Sequence, residues 1–377
     1  MTRYDDDRAG PSGAPLRLAP DDPRLTWHGV VSFEPGAGWR APWRLPYADR
    51  GLYPPEVQPA LAAMPYGGRL TLRSDTAVLA GRVVPVDLDG LAPPEYPLRD
   101  AVRRLMGSCL AEASAVDLCC DGALVGSASL AGRDGFRFDG LPPGPKDLEL
   151  WLPQFAPFRL YDLELSPGAT VAPAPDPDPR PRWIAYGSSH TGAYPPVAQP
   201  SRTWTAQVAR ARGLRHTVLA FAGGCHLEPM LARLIRDLPA DYLSMEVALN
   251  ALSAASLSPR TYASAVIGFV QTVRDGHPDI PVVVQSPIYV PHNDDPTSPR
   301  AQPNAVGFTL PAMREETAAA VARLRAHGDR FVHYVDGLRL YGPEQAHLSP
   351  DGVHPDAAGQ DALAGAFLRE VVAPYFT

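Results

Sequence analysis

The chain has 377 residues, of which 45% are hydrophobic and 20% are charged. These proportions are typical of globular proteins, and the length favours two domains over one. The net charge is -7, from 34 basic and 41 acidic residues. Because phosphate binding needs clustered lysines and arginines, nucleic-acid partners are not expected.

The N-terminal segment lacks the apolar stretch of a secretory signal. Residues 1–20 are charged and rich in glycine and proline, which predicts a disordered tail. No later run approaches the roughly 20 apolar residues that a membrane span requires. We therefore expect a cytoplasmic protein without a membrane partner, and the sequence gives no indication of its oligomeric state.

The cysteines do not form a recognisable metal or disulfide pattern. They are Cys109, Cys119, Cys120 and Cys225, with neither metal-ligand spacing nor the density of a disulfide scaffold. His226 follows Cys225, but no second ligand pair lies at helical or hairpin spacing. The sequence predicts reduced thiols, no metal and no cofactor.

Residues 21–170 show short alternating runs separated by turn signals. Arg69–Arg73 alternates polar and apolar residues, and Leu148–Leu152 does so over its first three residues, as expected of strands with one buried face. Asp121-Gly122 is a typical hairpin turn between such runs. This part of the chain is predicted to be an all-β sandwich.

Residues 171–182 differ from the sequence on either side. Prolines occupy every second position from 173 to 181. Proline lacks a backbone N–H and biases its neighbours toward extended geometry, so neither a helix nor a central strand is expected. The segment is predicted to be a semi-rigid linker.

Residues 183–377 alternate apolar runs with helix-like stretches. The apolar runs are Trp183–Tyr186, Thr217–Phe221, Tyr242–Val247, Ile280–Gln285 and Phe331–Val335. The helix-like stretches include Thr203–Arg212, Ser264–Asp275, Met313–His327 and Ala357–Val372. This alternation predicts an α/β domain, with a mostly parallel sheet covered by helices on both faces.

Candidate catalytic residues follow the predicted strands, where ligands bind in open parallel sheets. Gly187-Ser188-Ser189 comes directly after the first apolar run, and Asp351-Gly-Val-His354 lies near the C-terminus. Ser189 is the candidate nucleophile and His354 its general base. Asp351, on the same loop, can accept a hydrogen bond from the far imidazole nitrogen.

A tetrahedral intermediate also needs donors for its oxyanion. The Ser189 N–H, the Gly223 N–H and the Asn250 side-chain amide are suitable groups at the ends of predicted strands. Taken singly, each of these motifs has a structural interpretation as a turn, a helix cap or a strand exit. Their joint occurrence at successive strand ends favours catalysis.

On these blocks, residues 183–377 resemble the SGNH (GDSL-type) esterase and lipase superfamily. The matching residues are Ser189, Gly223, Asn250 and His354, with Asp351 three positions earlier. The resemblance implies a flavodoxin-like three-layer domain. The preceding all-β half is similar to the jelly-roll-like domain attached to some SGNH carbohydrate esterases.

Two positions depart from the family pattern. Ser188 stands where an acidic residue usually precedes the nucleophile, so local hydrogen bonding must differ. Ala248 stands where the third block usually begins with glycine, and its methyl group narrows the freedom of the backbone near the oxyanion hole.

Three further residues lie beside these blocks. His190 and His226 are candidate substrate contacts, with a structural polar contact as the alternative for His190. Glu246 lies on a predicted buried strand close to Asn250, where it can orient the site or be a satisfied buried carboxylate.

The sequence therefore predicts a serine esterase that removes a short acyl group, with acetyl as the first candidate. The expected partner is a small-molecule ester, an acylated sugar or a glycosylated natural product. Two alternatives stay open: an acyltransferase with the same three residues, and an inactive carbohydrate-binding protein. An α/β-hydrolase is disfavoured because Gly187-Ser-Ser-His-Thr191 does not match Gly-x-Ser-x-Gly.

Overall fold

A computed structural model describes residues 13–54, 58–86, 109–173 and 178–377 of the chain. These residues form two six-stranded antiparallel sheets, which build the N-terminal β-sandwich, and one five-stranded parallel sheet. The predicted fold class, an all-β domain followed by a flavodoxin-like α/β domain, is confirmed.

The first antiparallel sheet has the order β3-β4-β11-β6-β9, with β1 also paired to β11. Its strands are β1 (Leu16–Leu18), β3 (Ser32–Pro35), β4 (Arg40–Trp43), β6 (Val78–Val83), β9 (Gly135–Asp139) and β11 (Leu160–Leu165). The second has the order β12-β5-β10-β7-β8, with β2 also paired to β5. Its strands are β2 (Thr26–His28), β5 (Arg69–Ser74), β7 (Ala115–Cys120), β8 (Ala123–Ser129), β10 (Lys146–Trp151) and β12 (Val171–Ala172).

Strand β1 corrects the prediction of a tail over residues 1–20. Leu16 pairs with Leu165, and Leu18 pairs with Leu163. Leu18 is fully buried, so apolar burial fixes this segment although only three residues pair. Residues 1–12 lie outside the described residues.

The predicted linker, residues 171–182, carries strand residues at both ends. Val171–Ala172 form β12 at the edge of the second sheet, a position that tolerates neighbouring prolines. Arg182 is the first residue of the parallel sheet. Residues 174–177 lie outside the described residues.

The parallel sheet has the order β14-β13-β15-β16-β17. Its strands are β13 (Arg182–Gly187), β14 (Arg215–Ala220), β15 (Tyr242–Glu246), β16 (Val282–Gln285) and β17 (Val332–Val335). The first strand of the domain therefore has the second strand on one side and the third on the other. Such a reversal of strand order creates a crevice at the carboxyl ends of the strands.

Helices cover both faces of this sheet. The α-helices of the described residues are α1 (Gln58–Ala62), α2 (Leu110–Ala113), α3 (Trp204–Arg212), α4 (Pro229–Asp237), α5 (Leu249–Ser253), α6 (Tyr262–Arg274), α7 (Pro291–Asp294), α8 (Leu310–Ala326), α9 (Gly337–Leu340), α10 (Ala357–Phe367) and α11 (Ala373–Tyr375). A π-helical turn, Leu368–Val372, joins α10 to α11. Short 3-10 turns are Tyr47–Leu52, Pro200–Arg202, Pro299–Ala301 and Pro343–Leu348.

Two large apolar clusters form most of the core of the described residues. One contains Trp204 of α3 and Phe367 of α10, which pack on one face of the parallel sheet. The other contains Leu231 of α4 and Val266 of α6, and it continues into the interior of the β-sandwich through residues such as Leu163. The two domains therefore share a continuous apolar core.

Buried polar contacts join the domains as well. The fully buried Arg44 guanidinium donates to the carbonyl oxygens of Val218 and Ala220 at 3.1 and 2.6 Å. Asp117 accepts from the backbone N–H and hydroxyl of Ser201 at 2.9 and 2.6 Å. Among the described helices, none is both long and apolar enough to cross a membrane.

Candidate active site

The nucleophile turn begins where β13 ends. Gly187 closes the strand at a position where a Cβ atom would collide with Thr191 Oγ1 and lie 2.8 Å from Glu246 Oε2. Only glycine fits this close approach. Ser189 follows two residues later and is 7% exposed.

The structure brings Ser189, His354 and Asp351 into one hydrogen-bonded chain. His354 Nδ1–H donates to Asp351 Oδ2 at 2.7 Å. Because the carboxylate needs a proton from Nδ1, His354 Nε2 is free to accept, and Ser189 Oγ lies 2.9 Å from it. This is the arrangement that a base-activated serine requires.

The loop that carries Asp351 is itself held by that residue. Asp351 Oδ1 accepts from the backbone N–H groups of Val353 and His354 at 2.9 and 2.7 Å. Partial burial alone would raise the pKa of Asp351, but the hydrogen bonds from the His354 ring and backbone outweigh it and lower this pKa. The carboxylate therefore stays ionised beside His354.

Water can reach this chain of residues. The side chain of His354 is 18% exposed and that of Asp351 is 47% exposed. Tyr194 covers part of the imidazole, with its ring 4.8 Å from that of His354 in an edge-to-face contact. The candidate base is therefore partly shielded while staying open to solvent.

The three candidate oxyanion donors lie at the ends of neighbouring strands. Ser189 follows β13, Gly223 follows β14, and Asn250 lies in the first turn of α5, just after β15. Asn250 Oδ1 accepts from the Cys225 N–H at 3.1 Å. This bond fixes the orientation of the amide, so the Asn250 NH₂ group is left as the donor.

Ala248, which stands where the family usually has glycine, adopts a backbone conformation with positive φ. Its φ is 89°, a region that glycine favours and alanine rarely enters. The strained residue directly precedes α5, the helix that carries Asn250. Backbone strain at such a position is stored beside the candidate oxyanion hole.

His190 was a candidate substrate contact, but the structure shows it in the alternative role, a structural polar contact. It is 2% exposed, and its Nε2–H donates to the carbonyl oxygen of Val353 at 2.9 Å. Burial and the neighbouring His354 lower the pKa of His190 to about 3. The neutral ring therefore ties the nucleophile turn to the loop that carries His354.

His226 has both ring nitrogens engaged. Nε2–H donates to the Gly223 carbonyl oxygen at 3.0 Å, and Nδ1 accepts from the Ser256 hydroxyl at 2.7 Å. These bonds orient the Gly223 peptide, while the half-buried ring remains a candidate substrate contact. Within the described part of the chain, no group of three or more His, Cys, Asp and Glu side chains could hold a metal ion.

Sequence reasoning missed the contribution of the β-sandwich to this site. Gln154 Nε2 donates to the carbonyl oxygens of Gly192 and Ala193, both at 3.3 Å, and Gln154 Oε1 accepts from the Val197 N–H at 3.0 Å. The ring of Phe155 packs edge-on against Tyr194 at 5.5 Å. No catalytic motif marked these residues, because their role depends on how the domains pack.

Two protein families match parts of the chain. Residues 25–161 match the SsfX3 N-terminal domain, and residues 184–362 match the GDSL-like lipase/acylhydrolase family. No curated protein sequence matches the chain.

Solved structures are similar over nearly the whole chain. One is a salicylyl-acyltransferase, SsfX3, from a tetracycline biosynthetic pathway, with 38% identity, a TM-score of 0.83 and coverage of 95% of this chain and 97% of that chain. Another, from Bacteroides ovatus and described as a GDSL-like lipase, has 19% identity, a TM-score of 0.73 and coverage of 95% and 97%. A family two carbohydrate esterase from Cellvibrio japonicus has 15% identity, a TM-score of 0.63 and coverage of 96% and 98%.

At 19% and 15% identity, the last two similarities show a shared fold. The similarity to the acyltransferase shows more than a shared fold, because the 38% sequence identity extends over both domains. Together with the match of residues 184–362, it shows that this chain belongs to the GDSL-like lipase/acylhydrolase (SGNH) family.

Proposed function

We propose that this protein is a serine acyltransferase, which moves an acyl group through Ser189 to a hydroxyl group of a small-molecule acceptor. The chain of contacts at the site carries the assignment of nucleophile and base, and the 38% identity to a salicylyl-acyltransferase supports transfer over hydrolysis. Ser189 Oγ lies 2.9 Å from His354 Nε2, and His354 Nδ1 lies 2.7 Å from Asp351 Oδ2.

In the proposed first step, His354 Nε2 takes the proton of Ser189 Oγ as the oxygen attacks the acyl carbonyl carbon. The carbonyl electron pair moves to oxygen, and Asp351 stabilises the imidazolium. When the tetrahedral intermediate collapses, the bond to the leaving group breaks and His354 returns the proton to it. An acyl-enzyme ester on Ser189 remains.

The negative oxygen of the intermediate needs preorganised donors. The N–H groups of Ser189 and Gly223 and the Asn250 amide are the proposed oxyanion donors. Losing one such donor typically costs about 2.7 to 4 kcal/mol of transition-state stabilisation. The bond from the Cys225 N–H to Asn250 Oδ1 supports the assignment of Asn250, because it leaves the NH₂ group to donate.

In the second step, His354 Nε2 takes the proton of the acceptor hydroxyl as its oxygen attacks the acyl-enzyme carbonyl carbon. When this second intermediate collapses, the bond to Ser189 Oγ breaks and His354 returns the proton to that oxygen. The full-length similarity to a salicylyl-acyltransferase supports an alcohol as acceptor and an aromatic acyl group as the first donor to test. Hydrolysis of a short-chain ester, such as an acetylated sugar, is the second candidate. The solvent exposure of His354 and Asp351 favours it, because water can reach the base.

The test measures how the acyl-enzyme divides between acceptors. The full chain is incubated with p-nitrophenyl acetate or p-nitrophenyl salicylate, with and without a hydroxylated acceptor such as tetracycline or glucose. Mass spectrometry detects the new ester, and Ser189→Ala is the control. An acylated acceptor that requires Ser189 supports transfer, whereas free acid alone in every reaction supports hydrolysis.

A fluorophosphonate probe reports the nucleophile independently of the acyl donor. We expect labelling of the wild-type chain and none of Ser189→Ala. A wild-type chain that neither reacts with the probe nor releases p-nitrophenol would overturn both functions and favour a binding protein.

A further inference from the structure

A buried carboxylate lies against the nucleophile turn and takes no part in the chemistry proposed above. Glu246 is the last residue of β15 and is 5% exposed. Its Oε2 accepts from the Ser188 backbone N–H at 2.7 Å and from the Ser188 hydroxyl at 2.6 Å. The Thr191 hydroxyl also donates to Oε2, at 3.2 Å.

These three bonds converge on the residues on either side of Ser189. Ser188 precedes the nucleophile, and Thr191 follows two positions later. The Ser188 hydroxyl oxygen also accepts from the His190 N–H at 3.2 Å. One carboxylate oxygen thus connects the turn after β13 to the end of the adjacent strand, β15.

The approach of the carboxylate depends on Gly187, where a Cβ atom would lie 2.8 Å from Glu246 Oε2. The other carboxylate oxygen, Oε1, is buried and has no hydrogen-bond partner among the described residues. Burial raises the pKa of Glu246, although the bonds from Ser188 and Thr191 oppose this shift. Burying a carboxyl group with one unpaired oxygen costs free energy of folding, and an apolar side chain at position 246 would avoid that cost.

We infer that Glu246 is a positioning residue for acyl transfer, which holds Ser189 in attacking geometry through its bonds to Ser188 and Thr191. This inference rests on the proposed role of Ser189 as nucleophile. The acceptor oxygen, not the negative charge, does the positioning. Misplacing a reacting group by about 1 Å can cost about 100-fold in rate, so loss of the acceptor acts mainly on the acylation step.

The test compares Glu246→Gln, which keeps an acceptor oxygen, with Glu246→Met, which has similar length and no comparable acceptor. Burst-phase kinetics with p-nitrophenyl acetate give the acylation rate and KM, and fluorophosphonate labelling gives the reactivity of Ser189. We expect Glu246→Met to lower the acylation rate by about 100-fold with little change in KM. Glu246→Gln is expected to stay near the wild-type rate.

Ser244→Ala is the matched control for a general loss of stability. Ser244 lies two residues earlier on β15 and accepts from the buried Trp183 Nε1–H at 2.9 Å. We expect this variant to lower the melting temperature while the acylation rate stays at the wild-type value. A stability effect of β15 is thereby separated from an effect on Ser189.

A second set of variants keeps the inference testable if Glu246→Met does not fold. Ser188→Ala and Thr191→Val remove the two hydroxyl donors instead of the acceptor and leave the bond from the Ser188 backbone N–H, and each is expected to slow acylation. When Glu246→Met does fold, adding Ser188→Ala to it should cause little further loss, because the shared bond is already gone.

The possible outcomes separate this inference from the proposed function. If the wild-type chain is not labelled by the fluorophosphonate, the nucleophile itself is wrong. If the wild-type chain is labelled and Glu246→Met, or both donor variants, react at its rate, the positioning role is wrong while the nucleophile stands. Equal loss in Glu246→Gln and Glu246→Met would also overturn the role of the acceptor oxygen.

Discussion

At the residue scale, Asp351 determines which nitrogen of His354 faces Ser189. Its Oδ2 accepts from Nδ1–H at 2.7 Å, which leaves Nε2 as the acceptor for the Ser189 hydroxyl. A residue that donates to Nδ1 instead would place the ring proton on Nε2. The base would then point a hydrogen at the nucleophile.

Asp351→Asn tests this tautomer control. The Asn amide can donate to Nδ1 and stabilise the unproductive tautomer, so we expect kcat for p-nitrophenyl acetate to fall about 10⁴-fold, as in serine proteases. Steady-state kinetics at neutral pH measure the change, with circular dichroism to confirm folding. A loss of less than tenfold in a folded variant would argue against the role of Asp351.

Ala248 is a second residue whose local geometry makes a test possible. Its φ of 89° is costly for alanine, and such conformations cost about 1 to 3 kcal/mol. Ala248→Gly should therefore raise the free energy of unfolding by about 1 kcal/mol, measured in urea. A variant less stable than wild type would show that Ala248 is not strained in the folded chain.

At the scale of elements, the sequence predicted the parallel strands well because each contains a run rich in apolar residues, although a polar residue interrupts some of the runs. Trp183–Tyr186 was predicted, and β13 spans Arg182–Gly187. The sequence also placed Ser189 directly after a predicted strand and put Asp351 and His354 on one late loop. In an open parallel sheet, groups beyond the carboxyl ends of the strands lie at the same edge.

Other features depend on contacts distant in sequence and could not be predicted this way. Strand β1 has three residues and exists because Leu18 is buried against β11. From its place beside Ser189, His190 was a candidate substrate contact. In the structure it is held by a hydrogen bond to Val353, 163 positions away in sequence. Helix α4 was not among the predicted helices, although Pro229 at its first position and the buried pair Leu231 and Ile235, four residues apart, are signals of an amphipathic helix.

The segment after the nucleophile turn depends on the β-sandwich for support. Gln154 joins Gly192, Ala193 and Val197 through both atoms of its amide, and this segment carries Tyr194, which packs on His354. The sandwich therefore helps to position the candidate base through Gln154, in addition to the contact of Phe155 with Tyr194.

Gln154→Leu tests that support. Leucine is similar in size but leaves the Gly192 and Ala193 carbonyl oxygens and the Val197 N–H without these partners, which loosens the segment. We expect kcat to fall by about 10- to 100-fold, since misplacement near the reacting groups is costly. Gln207→Leu, at a half-buried position of α3, removes bonds to Arg202 and Asp361 and is the control with unchanged kcat. Equal kcat values for wild type and Gln154→Leu would show that Tyr194 is held by other contacts.

At the scale of the whole molecule, two histidines, His28 and His216, are buried in neutral form at the junction between the domains. His28 of β2 lies 3.0 Å from Thr71 Oγ1 through its Nε2, and His216 of β14 lies 3.4 Å from Arg69 Nη1 through its Nδ1. Burial, assisted by Arg69, lowers the pKa of His28 to about 3. The same causes lower the pKa of His216 well below its ordinary value.

These shifts have a definite sign for stability. The unfolded chain binds a proton at His28 as the pH falls below about 6.5, whereas the folded chain keeps this residue neutral until about pH 3. The unfolded state therefore binds more protons between these values, and stability falls as the pH falls. Asp117 and Glu246 act in the opposite direction, because burial raises their pKa values in the folded state.

The contribution of His28 can be isolated from these opposing groups by comparing wild type with His28→Gln, which can still hydrogen bond to Thr71. The free energy of unfolding in urea is measured at pH 7.5 and pH 5.0 for both. Since one pKa unit corresponds to about 1.4 kcal/mol, wild type should lose about 2 kcal/mol more than the variant over this range. His347→Gln replaces an exposed histidine and should keep the wild-type pH dependence. Identical pH effects in wild type and His28→Gln would mean that His28 is hydrated or already charged at the junction of the two domains.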